Sequence, residues 1–430
     1  MSSPSFPESE ARRPWRRALE SAVAVGAAIY IAARFSDKGG LINVGFYLAL
    51  AAFILLAAAT RGRIVAELCS SRLAASLTAY ALALAYAVLI APDPEASWHA
   101  LVPAHGRALV TALFVGCAAS RAENARYLLL ALAGGAVGAT VAQFVAHVGN
   151  WQKTGSWIPG YSEPGFSVIR RSGNAHAFLL SAMIAMIVVL SGWRNVLLLV
   201  VIAGVETLAL LVTGYRGAWL GVAVAGALAA AVTRQWKVIL GGTTLLVTAG
   251  LALIVMSPGN VVSERLAQGF DTTFRTTGTW GPAIDLIKGR PLTGYGYGQE
   301  VFRNIFDAAA PVHPEWSFRS SLGPHNIYLS ALFAGGPILL GAMLWVFAEV
   351  VLSLARAYRS SEAETIKALA LAAVSAFVAA YLVQGLFEDL FWPPFGILVG
   401  IALGLHASSP PVAEGRPSGA LTLREADHFR

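Results

Sequence analysis

The sequence predicts an all-α polytopic membrane protein, and three observations predict it. Hydrophobic residues make up 56% of the chain and charged ones only 13%, where a soluble domain carries about 25% charged. Apolar stretches recur that are long enough to cross a hydrocarbon core about 30 Å thick, which takes roughly 20 residues per helix. Basic residues fall in alternate loops, the mark of cytoplasmic segments. The net charge of +7 therefore reports topology, and no nucleic-acid partner is implied.

Residues 1–17 read as a cytoplasmic tail, Pro- and Ser-rich to Glu10, then basic at Arg12, Arg13, Arg16 and Arg17. The first apolar run lacks a cleavage site before Arg34 and is expected to remain as a helix. Candidate spans lie at about 18–34, 41–59, 73–91, 104–119, 127–147, 173–191, 195–213, 217–232, 238–256, 336–355, 367–384 and 391–407, twelve in all. An even number puts both termini on one side. Arg61, Arg63, Arg72, Arg121, Arg126, Arg194, Arg234, Lys237, Arg356 and Arg359 assign that side to the cytoplasm. The expected organisation is nine helices in 18–256, a large periplasmic loop at 257–335, three helices in 336–407 and a cytoplasmic tail at 408–430. Small-residue runs such as Ala131 to Ala136 allow close helix packing. Cys69 and Cys117 have neither zinc-site spacing nor a disulfide framework around them.

The large loop is where chemistry in water is expected. Its cations, Arg265, Arg275, Lys288, Arg290, Arg303 and Arg319, are balanced by Glu264, Asp271, Asp285, Glu300, Asp307 and Glu315. Any anion it binds must therefore be held by particular arginines. Pro282 near a first turn and Gly289-Arg290-Pro291 after a last one predict a short helix with Ile284 and Ile287 on one face. Gly294-Tyr295-Gly296-Tyr297-Gly298 cannot be ordinary helix, and a Pro-punctuated run leads on to Gly323-Pro324-His325. Asn326 to Gly335 is apolar but too short to span. Gly335-Gly336-Pro337 separates it from the next helix, so it should lie at the membrane surface or dip into the bundle.

Three positions stand out among the outward-facing polar groups. Arg216, in the short turn Thr213-Gly214-Tyr215-Arg216-Gly217, either snorkels to the headgroups or grips a phosphate with its guanidinium fork. Arg275, five residues before Trp280 and downstream of Arg265, is either a solvated loop charge or a second anion contact. His325 follows Pro324, which sets up a helix start and so places His325 in the first turn, where a neutral imidazole can accept a proton.

Arg170 and Arg171, followed by Ser172-Gly173-Asn174-Ala175-His176, either contact a lipid phosphate or anchor a helix at the headgroups. Glu206 lies inside a span, where pairing with a neighbouring helix is the simpler reading. Glu388 and Asp389 lie at an outer helix end beside belt aromatics. Asp93-Pro94-Glu95 reads as a turn, and no metal site or cofactor is expected. Arginines with a neutral histidine suit a reaction in which a pyrophosphate leaves and an acceptor hydroxyl loses its proton.

At these residues the chain resembles the O-antigen ligase and polymerase superfamily. The resemblance rests on Thr-Gly-Tyr-Arg216-Gly-Ala-Trp, Arg275-x4-Trp280, Pro291-Leu-Thr-Gly-Tyr-Gly and Pro-His325-Asn-Ile-Tyr-Leu, in that order. It implies an inverting, metal-independent, GT-C-like glycosyltransferase at the periplasmic face of the bacterial inner membrane. The implied donor is a polysaccharide on undecaprenyl pyrophosphate and the implied acceptor is lipid A–core, with membrane lipids as surroundings. It further implies catalysis by His325 and donor binding by Arg216, Arg275 and Arg265. Arg170, Arg171, His176, Tyr215, Trp280 and Asn326 are further candidate contacts to lipid or substrate. A polymerase or a protein O-oligosaccharyltransferase would use the same donor. A secondary transporter, the reading from another class, predicts broken helices and polar groups at the midplane.

Overall fold

The computed structural model describes residues 14–36, 39–155, 157, 172–256, 261–267, 272–389 and 392–408. Among these there is no strand. The long helices are α1 (Pro14–Arg34) and α2 (Gly39–Ala59), the short α3 (Arg63–Cys69), then α4 (Arg72–Leu89). They continue with α5 (Pro94–Ala119), α6 (Ala122–Thr154), α7 (Gly173–Val189), α8 (Trp193–Val212), α9 (Arg216–Thr233) and α10 (Trp236–Met256). The loop region carries α11 (Val261–Ala267), α12 (Trp280–Gly289) and α13 (Gln299–Ala309), and the chain closes with α14 (Ile327–Ser360), α15 (Glu364–Leu386) and α16 (Pro393–Ser408). Helices occupy all twelve expected spans. Among the described residues, crossing by length and composition is established for eight of them, and α7 and α16 are apolar but shorter.

Helix starts are set by local chemistry. Ser71 Oγ accepts the Ala74 amide at 3.1 Å to begin α4. Asp93 Oδ1 accepts the Ala96 amide at 2.9 Å with Pro94 in the first turn of α5, so Asp93-Pro94-Glu95 is a helix cap. Lipid tails are as apolar as leucine, so the bundle is held by close packing. A Cβ built at Gly26 would fall 2.5 Å from the Ala49 nitrogen, and one at Gly400 would fall 2.8 Å from the Ala112 carbonyl. Gly135, in the Ala131 to Ala136 run, lies against Phe35 and Ile31 of α1 and its exit. At the end opposite the large loop, Glu20 accepts from Arg16 at 3.0 Å and Arg121 at 2.5 Å.

The outer loop has a core of its own. On α13 the residues Val301, Phe302 and Phe306 are buried, and they pack with Trp316, Ala283, Leu286 and Phe333. Burial of such side chains from water contributes roughly 1.5–3 kcal/mol per large apolar side chain. The buried face of α12 is Ala283 and Leu286, whereas Ile284 is exposed. Of the Ile284–Ile287 pair, Ile287 packs partly buried against this core and Ile284 stays exposed.

α14 is broken where Gly335-Gly336-Pro337 predicts. Gly336 sits at φ 61°, ψ −158°, a region essentially closed to residues with a Cβ. The carbonyls freed by the break do not go unpaired: Tyr295 and Gly296 donate their amides to Phe333 and Ala334 at 2.7 and 2.9 Å. Tyr297 donates to Ala87 of α4 at 3.2 Å. The glycine–tyrosine run is therefore the strap that caps the broken helix. The segment Ile327 to Ala334 dips into the bundle, with Ile327, Ala331, Phe333 and Ala334 buried.

Candidate functional site

The site is built where three separate segments meet at the loop end of the bundle: the π-helical turn Phe274–Thr279 leading into α12, the start of α14, and the chain between α15 and α16. Asn326 begins α14, its Oδ1 accepting the Tyr328 and Leu329 amides at 2.9 and 3.0 Å. His325 is therefore outside the helix, one residue before the cap, and its backbone is left-handed at φ 49°. This corrects the expectation of a first-turn position. The capping side chain belongs to Asn326, which takes the helix amides that His325 would otherwise have faced. Asn326 Nδ2 donates to the Leu386 carbonyl at 3.1 Å, so Asn326 is buried and structural.

What orients His325 is a carboxylate. Its Nδ1 lies 2.8 Å from Glu388 Oε2. An ionised carboxylate only accepts, so Nδ1 is the donor, and in the neutral imidazole the lone pair is then on Nε2. His325 is partly exposed and Glu388 is buried to 8%. Glu388 is a residue that sequence reasoning passed over as an acid among belt aromatics. Its signal was its position at the outer end of a span, close to a helix bearing a candidate base.

Arg275 Nη1 donates to the carbonyls of His325 at 3.2 Å and Phe387 at 2.7 Å. Its guanidinium carbon stands 5.4 Å from the Trp280 ring centre and 5.7 Å from that of Phe387. Trp280 Nε1 also faces the His325 carbonyl, at 3.4 Å. Arg275 and Trp280, both predicted site residues, thus hold the backbone of the third. Arg216 opens α9, and its neighbour Gly217 meets Phe387, with a built Cβ 3.1 Å from Phe387 Cβ. Arg275 and His325 therefore meet on the strip Phe387-Glu388, and the helix start that carries Arg216 packs beside it through Gly217. Asp389, next in the chain, bonds Ser330 Oγ at 3.1 Å. Burial raises its carboxyl above the ordinary range, against the opposing charge of His325 and the Ser330 bond.

Arg265 lies on the separate helix α11, packed against α8 and α10. His176 is fully buried, its Nδ1 2.6 Å from Glu206 Oε2, and Glu206 Oε1 accepts from Thr140 at 2.6 Å. That pair ties α6, α7 and α8 together and removes His176 from any lipid headgroup, as pairing of Glu206 anticipated. Tyr215 is buried with its ring against Gly173. Arg170 and Arg171 lie outside the described residues.

Residues 198–346 match the O-antigen ligase family. The chain is also 34% identical over 215 residues to the O-antigen ligase of Salmonella typhimurium, a stretch covering 49% of this chain and 53% of that protein. The chain thus matches about half the length of this curated relative. The family segment contains Arg216, Arg275, Trp280 and His325, and ends before Glu388.

Proposed function

From the match of residues 198–346 to the O-antigen ligase family we propose that the chain belongs to that superfamily and transfers a polysaccharide from undecaprenyl pyrophosphate to lipid A–core. The reaction runs at the periplasmic face of the inner membrane, with both termini cytoplasmic, by inversion and without a metal. The observation that supports this reading is the partly exposed His325–Glu388 pair, its backbone braced by Arg275.

In the proposed step the acceptor hydroxyl oxygen attacks the anomeric carbon from the side opposite the phosphate. The bond from that carbon to the phosphate oxygen breaks, and its electron pair leaves with undecaprenyl pyrophosphate. His325 Nε2 takes the hydroxyl proton and passes it to water, while Glu388 stabilises the imidazolium. Arg216 and Arg275 offset the charge that grows on the leaving group. Arg275 does so while positioning the histidine. Arg265 is retained as a further donor contact.

The test is reconstitution of purified protein with lipid-linked glycan and lipid A–core, with and without EDTA, read as a gel shift of lipid A–core. Modified lipid A–core in both tubes is the expected result. Elongation of the lipid-linked glycan, with lipid A–core untouched, would instead assign a polymerase.

A further inference from the structure

A cavity of about 320 Å³, lined in part by Pro324, lies between the start of α5, the Gly296–Gln299 strap and the first turns of α14. Its size is at the low end of ligand pockets, roughly 300–1,000 Å³. Its walls combine ring faces with polar groups. Trp392 and Tyr297 flank His105, at 4.4 and 5.2 Å between ring centres. Asp389, held by Ser330, and Gln299 supply hydrogen-bonding groups. His105 sits on a π-helical turn within α5, a distortion that often accompanies function. Among the described residues its buried Nε2 finds no partner, which packing alone does not explain. Of the neighbours Glu388 and Asp389, one grips His325 and the other lines the cavity.

We propose that this cavity is a subsite for one sugar ring of a glycan substrate. A pyranose has apolar C–H faces that pack on rings and equatorial hydroxyls that need acceptors such as a carboxylate, which is the combination present here. A polyprenyl chain would bring no hydrogen-bonding group to the buried His105 Nε2 and would set apolar surface against the Asp389 carboxyl. Pro324 lines the cavity, so a ring seated there lies next to the base. The ring comes from the acceptor or from the first sugar of the donor, and the inference rests on the proposed transfer only for that choice.

Ala100 and Gln299 are exposed at the cavity mouth, where Ala100 Cβ faces Gly298, so substitutions there leave the fold intact. With full-length protein in nanodiscs, Ala100→Phe and Gln299→Ala should raise the KM for one glycan substrate about tenfold and leave kcat within about threefold. A rise for lipid A–core assigns the acceptor, and a rise for the lipid-linked glycan assigns the donor. Unchanged KM for both overturns the subsite. A second measurement does not depend on turnover. In Cys69→Ser protein, maleimide labelling of Ala100→Cys should be slowed by a glycan-bearing substrate and not by sugar-free polyprenyl pyrophosphate. Equal protection by the sugar-free lipid, or protection by neither, overturns the proposal even if wild-type protein proves inactive and the proposed function has failed.

Discussion

His325 meets three constraints at once: a left-handed backbone, a carbonyl claimed by Arg275 and Trp280, and an imidazole gripped by Glu388. A non-glycine residue at positive φ costs on the order of 1–3 kcal/mol and persists only where surrounding contacts over-determine it. The grip on Nδ1 fixes the tautomer, so the lone pair always faces outward from Glu388. His325→Ala should abolish transfer and leave donor binding largely intact, measured by retention of radiolabelled donor. Glu388→Gln should keep the protein folded and lower kcat by up to about 10⁴-fold, the scale for a misoriented triad histidine. Turnover close to wild type in that variant would remove Glu388 from the mechanism. Arg275→Ala should lose roughly 10²–10³ in rate, and Arg275→Lys should recover little. An ammonium lacks the planar guanidinium face that lies beside the Trp280 and Phe387 rings while its Nη1 donates to two carbonyls. Arg275, Trp280 and His325 were legible in the sequence because polar groups in an apolar chain are few. Glu388 was not, because its partner is 63 residues away and only the packing of α14 against the end of α15 brings them together.

At the scale of elements, the sequence shows the long helices because each is an unbroken apolar run, and it shows the break in α14 because Gly335-Gly336-Pro337 cannot continue a helix. It hides the loop's internal arrangement. The repeat Val301, Phe302, Ile305, Phe306 marks α13 as amphipathic, yet the prolines around it made the stretch read as irregular. Which side of α12 is buried depends on where α13 lies, and local periodicity cannot supply that. The strap on the broken helix yields a sharp expectation. Gly336→Ala must place a Cβ against the Leu292 carbonyl at a backbone angle costing about 1–3 kcal/mol, so the loop should become protease-sensitive and transfer should fall. The outer layer also has an acid limit. Lys288 holds the Asp285 carboxylate at 2.9 Å and depresses its pKa; burial opposes this, and Trp316 Nε1, facing the carboxylate at 3.4 Å, lowers it further. A depressed carboxylate contributes stability above its unfolded pKa of about 3.9 that is lost as pH falls through the folded value. Solvent screens the pair, so the effect is small. Asp285→Asn should shift the acid onset of loop proteolysis, and an identical onset in both proteins would exclude Asp285 as its source.

Over the whole molecule, a cap with its own apolar core sits on a bundle held by close packing, and the candidate site lies at the seam. That location separates it from a transporter, whose polar groups and broken helices belong at the midplane. Here the break in α14 lies directly beneath the strap, and Pro337 to Ser360 is long enough beyond it to cross. Under the proposed function a lipid-linked donor would reach the seam from the bilayer, and α9 offers a route. Arg216, Leu220 and Val224 fall at intervals of four on one face of α9, and Leu220 and Val224 are 47% and 41% exposed. A pyrophosphate at Arg216 would therefore lay the first isoprene units along that stripe. A donor carrying a photoreactive group in those units should label α9 peptides containing Leu220 and Val224, and Arg216→Ala should weaken that labelling without moving it. Labelling confined to the opposite end of the bundle, around Glu20 and Arg121, is incompatible with entry from the outer leaflet. Labelling that is strong but indifferent to Arg216→Ala would return this arginine to a headgroup anchor.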